Sequence, residues 1–163
     1  MYQGIKEFRH LVLTERDVAL FRYLNEQRYM TYEQINRMFW PDKSVRAGAA
    51  RQRLQKLIEA KLIKSYWLPD GNLKLFLLKQ RGIEILTERK WDYGFSEIDA
   101  VSPYFVKHTL KLTDLRYLFE TMNCKSWTSE RLLRREKPTQ GWYPDAVFET
   151  NGLKTSIELE CAD

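Results

Sequence analysis

Two groups of side chains in this sequence have the types and spacing that chemistry requires. The first is acidic: Asp145 follows Pro144, and Glu158 and Glu160 alternate across Leu159. Hard carboxylate oxygens are the ligands Mg²⁺ takes, and a metal so held activates water and stabilises charge on a phosphate. The second is basic and polar: Lys43, Ser44, Arg46, Arg51, Gln52, Arg53 and Lys56 fall in one short stretch, with Lys64 and Lys74 after it. Arginine and glutamine form bidentate pairs with guanine and adenine edges in the major groove, and lysines meet phosphates. Each group has a plainer alternative. Alternating acids on a strand are commonly its wet face, and a basic helix face is commonly only solvated.

Other chemistries find no footing. Cys124 and Cys161 have no CxxC partner, and His10 and His108 are distant in sequence, so no zinc-ligand spacing exists. His108 reads as a helix-surface or core histidine. The seven glycines form neither GxxxxGK nor GxGxxG, and no Ser or Cys sits in a nucleophile motif. No run approaches the ~18–20 apolar residues of a membrane span. Residues 1–10 lack an apolar signal region, and two cysteines make no disulfide framework, so the reducing cytoplasm is the expected location.

Of 163 residues, 44% are hydrophobic and 13% aromatic, which suits folded domains rather than disorder. The net charge of +5 is unevenly distributed. Residues 1–90 hold 18 Lys and Arg against 10 Asp and Glu, whereas residues 91–163 hold 9 against 12. The basic character therefore belongs to the first half, and a soluble basic domain points to a polyanionic partner.

The elements that must position these groups follow from periodicity and capping signals. Thr14 and Asp17 predict a capping box for a helix over 15–26, with Val18, Leu20, Phe21 and Leu24 as its apolar stripe. Thr31 and Gln34 predict a second box, and Pro41 ends that helix. Ser44 is the expected cap of a third helix over 45–60. Its core face is Ala47, Ala50, Leu54, Leu57 and Ile58, and the opposite face is Val45, Ala49, Gln52 and Lys56, with Arg46 and Arg53 on one shoulder. Two β-prone runs around Pro69-Asp70-Gly71-Asn72 predict a hairpin over 63–78, then a short helix over 80–88. Three helices followed by a hairpin make a winged helix-turn-helix, with the third helix reading the groove. The stretch 91–103 is an aperiodic connector. Beyond it the pattern predicts a helix over 104–122, strand-like or irregular segments at 126–128 and 131–133, and strands over 143–149 and 154–160.

Pro144-Asp145, a hairpin, and Glu158-Leu159-Glu160 resemble the PD-(D/E)xK nuclease arrangement, in which acids on adjacent strands bind a divalent metal. Glu160 stands where that motif has its lysine. The longer series Leu13-Thr14-Glu15-Arg16-Asp17, Arg51 to Leu57, His108 to Leu115, Ser129-Glu130-Arg131, Pro144 to Val147 and Ile157 to Glu160 resembles the replication-relaxation proteins of plasmids and integrated mobile elements. The resemblance implies a winged helix joined to a nuclease-like domain. That domain would require a further helix and strand after Glu158, so its expected form here is incomplete, with an open strand edge through which a homodimer could pair.

The sequence thus predicts an α+β chain: a winged helix at 10–90, a connector at 91–103 and a partial α-β-β-β restriction-endonuclease-like domain at 104–163. The expected function is binding of double-stranded DNA in replication, transfer or regulation of a mobile element, with no membrane partner and no cofactor. One rival is a Mg²⁺-dependent nuclease using Asp145 and Glu158, beside Glu160. The other is an adaptor whose winged helix meets only protein.

Overall fold

The computed structural model describes residues 11–42, 48–68, 73–91, 93–122 and 124–160. They form six helices and two three-stranded antiparallel sheets, divided between two compact units at residues 100 and 101. The fold is therefore mixed α and β.

The first unit contains α1 (Glu15–Gln27), β1 (Met30–Thr31), α2 (Tyr32–Phe39), α3 (Ala49–Glu59), β2 (Ile63–Trp67), β3 (Lys74–Leu78) and α4 (Gln80–Glu88). Both capping boxes form as the sequence predicts. The Thr14 hydroxyl accepts from the Asp17 N–H while the Asp17 carboxylate accepts from the Thr14 N–H at 2.7 Å. Thr31 and Gln34 do the same at α2. Each box satisfies two backbone donors that the first helical turn leaves without partners. The short strand β1 lies beside β3, in the order β1-β3-β2, with Met30 opposite Phe76 and Tyr66 opposite Leu75.

One apolar core joins these elements. Val18, Phe21 and Leu24 of α1, Ile35 of α2, Leu54 and Leu57 of α3, Ile63 and Phe76 of the hairpin and Leu86 of α4 are all buried in it. Helix α4 approaches the sheet at Gly82, where an added Cβ would lie 2.7 Å from the Leu62 carbonyl oxygen and 2.4 Å from Leu78 Cδ1. Only glycine fits that contact. The described part of α3 opens at Gly48, whose φ of +89° also suits glycine. Ser44, predicted as the cap, lies with Lys43, Val45, Arg46 and Ala47 outside the described residues, as does the turn 69–72.

The connector stretch belongs in part to this first unit. Trp91 stacks under the Arg22 guanidinium at 4.8 Å, and Glu97 accepts from Lys64 Nζ at 2.8 Å and from the Gln80 N–H at 2.6 Å. Burial opposes ionisation of Glu97, but Lys64, the Gln80 N–H and Lys79 outweigh it and hold the carboxyl below its usual range.

The second unit contains α5 (Pro103–Thr121), β4 (Lys125–Ser129), α6 (Glu130–Glu136), β5 (Ala146–Thr150) and β6 (Leu153–Ile157), with the sheet in the order β4-β5-β6. Its succession is α-β-α-β-β, which corrects the predicted α-β-β-β. Residues 131–133 are helical because Ser129 caps the turn, its hydroxyl accepting from the Leu132 N–H, and Glu130 pairs with Arg134 one turn on. Phe148 of β5 stacks on Phe119 of α5 with centroids 4.4 Å apart, joining sheet to helix. Of the apolar positions predicted along α5, Val106 is buried, whereas Phe105, Leu118 and Met122 are exposed. The last strand ends at Ile157, three residues short of the predicted 160, which leaves Glu158 and Glu160 beyond the ladder.

Asp17, like Glu97, makes the stability of the first unit depend on pH. Its side chain is 1% exposed and takes Arg53 Nε at 2.9 Å and Nη2 at 2.5 Å. Burial favours the neutral acid, yet the bonds from Arg53 and Thr14 prevail and hold the pKa below the ordinary 3.8. An acid depressed in this way stabilises the fold above its unfolded pKa, and that contribution fades as pH falls through the lower folded value. Chemical melts should therefore show stability falling as pH drops below about 4, with a shallower fall in Asp17→Asn. Equal slopes in the two proteins would remove Asp17 from this role. At neutral pH, Arg53→Met leaves the buried carboxylate unpaired and should cost roughly 3 kcal/mol.

Candidate nucleic-acid interface

Helix α3 presents three faces, because successive residues turn by 100°. Ala50, Leu54 and Leu57 point into the core. Arg53 shares their spacing at i, i+3, i+4 and i+7, and its guanidinium turns to Asp17 and to the Val12 carbonyl, which it meets at 2.7 Å. The second face holds Gln52, Lys56 and Glu59, all exposed. The third holds Arg51, Gln55 and Ile58, which turn toward the hairpin.

This geometry divides the basic residues singled out from the sequence. Gln52 and Lys56 stand one turn apart on the exposed face. Arg51 is exposed, its guanidinium 5.2 Å above the Tyr32 ring. Lys74 lies 5.7 Å from the ring centres of both Trp67, its partner across the strands, and Phe76. Arg53 is committed to Asp17. Lys64 occupies the other face of the hairpin, since side chains alternate along a strand, and it pairs with Glu97 at 2.8 Å and Asp99 at 4.0 Å. Neither Arg53 nor Lys64 is therefore poised as a phosphate contact. Lys43, Ser44 and Arg46 lie outside the described residues.

Between the start of α2, the third face of α3 and the hairpin lies a cleft of about 320 Å³. Leu54 and Ile58 form part of its lining, together with the rings of Tyr32, Trp67 and Phe76. Arg51, Lys74 and Glu33 supply its charges. Nothing in the sequence spacing announced this cleft, because its walls come from three segments.

The acidic group takes a different form from that predicted. Asp145 Oδ2 lies 3.0 Å from His108 Nε2 and accepts the Leu159 N–H at 2.8 Å. The Asp145 carbonyl accepts the Glu130 N–H at 2.8 Å. One residue thus joins α5, the start of α6 and the segment after β6. The Asp145–His108 pair spans 37 positions and has no local signal. Glu158 and Glu160 are both exposed. Glu120, one of the two acids on α5, pairs with Arg116 at 2.8 Å. Among the described residues no three His, Cys, Asp or Glu side chains gather as a metal site. As placed, Asp145, Glu158 and Glu160 do not form a Mg²⁺ ligand set.

Asp145→Ala should therefore act first on stability, by leaving its partly buried donors without an acceptor. A loss of roughly 1–3 kcal/mol in a urea melt of the full chain is expected, with a smaller loss for Glu158→Ala. Equal losses, or none, would contradict the bracing role of Asp145.

The sequence model of the replication-relaxation family matches residues 21–160. No curated protein and no solved structure matches the chain.

Proposed function

We propose that this chain, which belongs to the replication-relaxation family, binds duplex DNA through its first unit and serves replication or transfer of a plasmid or integrated mobile element. In this proposal the first unit is a winged helix. Helices α1 to α3 form the helical part, β1-β3-β2 the small sheet, and the β2–β3 hairpin the wing. Helix α3 enters the major groove with Gln52 toward base edges and Lys56 toward phosphate, while Lys74 approaches the backbone beside the groove.

The observation that supports this reading best is the division of labour on α3. Its core and Asp17 contacts fix the helix on one side, and Gln52 and Lys56 stand exposed on the other. The strongly basic balance of residues 1–90 supplies the attraction to a polyanion. In this proposal the acids of the second unit take no part in cleavage. Strand β6, at the outer side of its sheet, offers the edge by which a second copy would pair.

Fluorescence anisotropy with a random duplex over a salt series tests the reading. Binding should weaken steeply with salt as counterions are released. Lys56→Ala should reduce the log–log slope by about 1. Lys64→Ala, whose ammonium is already paired with Glu97, should leave the slope unchanged. No binding at low salt would overturn the proposal in favour of a protein-interaction role. Mg²⁺-dependent cleavage of the same duplex, lost in Asp145→Ala, would instead favour a nuclease.

A further inference from the structure

The cleft between α2, α3 and the hairpin has features that duplex binding does not use. A duplex presents stacked, paired bases, whose π-faces are hidden from protein. The cleft nevertheless displays aromatic rings together with cations. Trp67 is 59% exposed at the end of β2, although it is the largest apolar side chain a hairpin can present. Its neighbours on the same sheet face, Ile63 and Phe76, are buried in the core. Trp67 thus continues a core-facing row past the edge of the core and into the cleft, beside Lys74 and across from Arg51.

We propose that this cleft receives one unpaired nucleotide of the bound DNA, its base stacked against Trp67 and its phosphate held by Arg51 and Lys74. The proposal rests on the DNA-binding reading above and deepens it. A volume of about 320 Å³ lies at the small end of ligand clefts, ~300–1,000 Å³, a size for one nucleotide rather than a strand. Aromatic platforms beside cations are the arrangement that binds unstacked bases with little regard to sequence. Both cations are held over ring faces, Arg51 over Tyr32 and Lys74 over Trp67 and Phe76. Such contacts keep them at the cleft mouth while leaving their N–H donors to turn toward a phosphate.

Glu33, the one acid among the described lining residues, would be a misfit in a site for phosphate alone. A carboxylate accepts from an exocyclic amine, which cytosine, adenine and guanine carry and thymine lacks. The cleft should therefore prefer an unpaired cytosine to an unpaired thymine. An apolar peptide side chain would use the rings but would leave Glu33, Arg51 and Lys74 without counterparts.

The test compares a fully paired duplex with the same duplex bearing a single-nucleotide bulge, by anisotropy, using the full chain. A second copy of the bulged duplex carries 2-aminopurine at the bulge as a stacking reporter. The bulged duplex should bind roughly tenfold tighter than the paired one, with 2-aminopurine fluorescence quenched on binding. Trp67→Ala should abolish both the preference and the quenching while leaving paired-duplex affinity in place. Trp67 lies outside the core, so this variant is expected to fold. Lys74→Gln, which also removes the backbone contact assigned to Lys74 above, should weaken both duplexes and the bulged one more. Lys56→Ala should weaken both duplexes equally. A bulged cytosine should bind tighter than a bulged thymine, and Glu33→Gln should narrow that difference. Equal binding of paired and bulged duplexes with unchanged reporter fluorescence would overturn the cleft assignment and leave duplex binding standing. Failure of both duplexes to bind at low salt would overturn the DNA reading and the cleft assignment with it.

Discussion

The Asp17 carboxylate is the point on which the first unit turns. It is almost fully buried, a costly place for a charge unless every oxygen lone pair finds a donor. Here one carboxylate serves two structures. It closes the capping box that starts α1, through the Thr14 N–H and hydroxyl, and it receives both nitrogens of the Arg53 fork from α3. Arg53 then reaches on to the Val12 carbonyl, just before the helix begins. Helices 36 residues apart in sequence are thereby locked at a defined rotation. Apolar packing of Ala50, Leu54 and Leu57 would hold α3 against the core but would tolerate small turns about its axis. The planar, bidentate pair does not, since its geometry is directional.

That rotation decides which side chains are left for function. With Arg53 held inward, the 100° step places Gln52 and Lys56 on the exposed side and Arg51 toward the hairpin. The sheet makes the corresponding selection by alternation. Lys64 falls on the face tied to Glu97, and Lys74 falls beside Trp67 at the cleft. Five basic residues within the described part of the helix and hairpin are thus sorted into two that stabilise the unit, two that line one cleft, and Lys56 on the open face. A count of positive charge overstates the surface available to a polyanion, because Arg53 and Lys64 are already neutralised by acids of the same unit.

Local signals in the sequence were reliable where the determining contacts were themselves local. The Thr14–Asp17 and Thr31–Gln34 boxes each span three residues, and both helices start where those pairs require. A basic side chain on a helix shoulder is usually solvated, so sequence pattern alone places Arg53 with the groove-facing residues. Its place in the 50, 53, 54, 57 stripe was the available warning, but the partner that makes an inward arginine tolerable is 36 residues away. Strand β1 has only two residues, too few for an alternation pattern, and exists because β3 offers it an edge. Helix α6 was obscured by its shortness. Its Ser129 cap and its Glu130–Arg134 pair were visible signals that seven residues of weak periodicity did not reinforce.

The same distinction explains the acids. Pro144-Asp145 and Glu158-Leu159-Glu160 form a pattern that a strand pair could turn into a metal site, provided both acids project to one side of a continuous ladder. The ladder ends at Ile157, opposite Ala146, so Glu158 lies past the last paired residue. Asp145, one residue before β5, then accepts the Leu159 N–H with the oxygen that also meets His108. A carboxylate oxygen accepting a backbone N–H beside an imidazole has fewer lone pairs to offer a cation. The segment after β6 is fastened by Asp145 rather than arrayed beside it. This makes bracing of α5, α6 and β6 the interaction that the second unit draws from its most conspicuous acid.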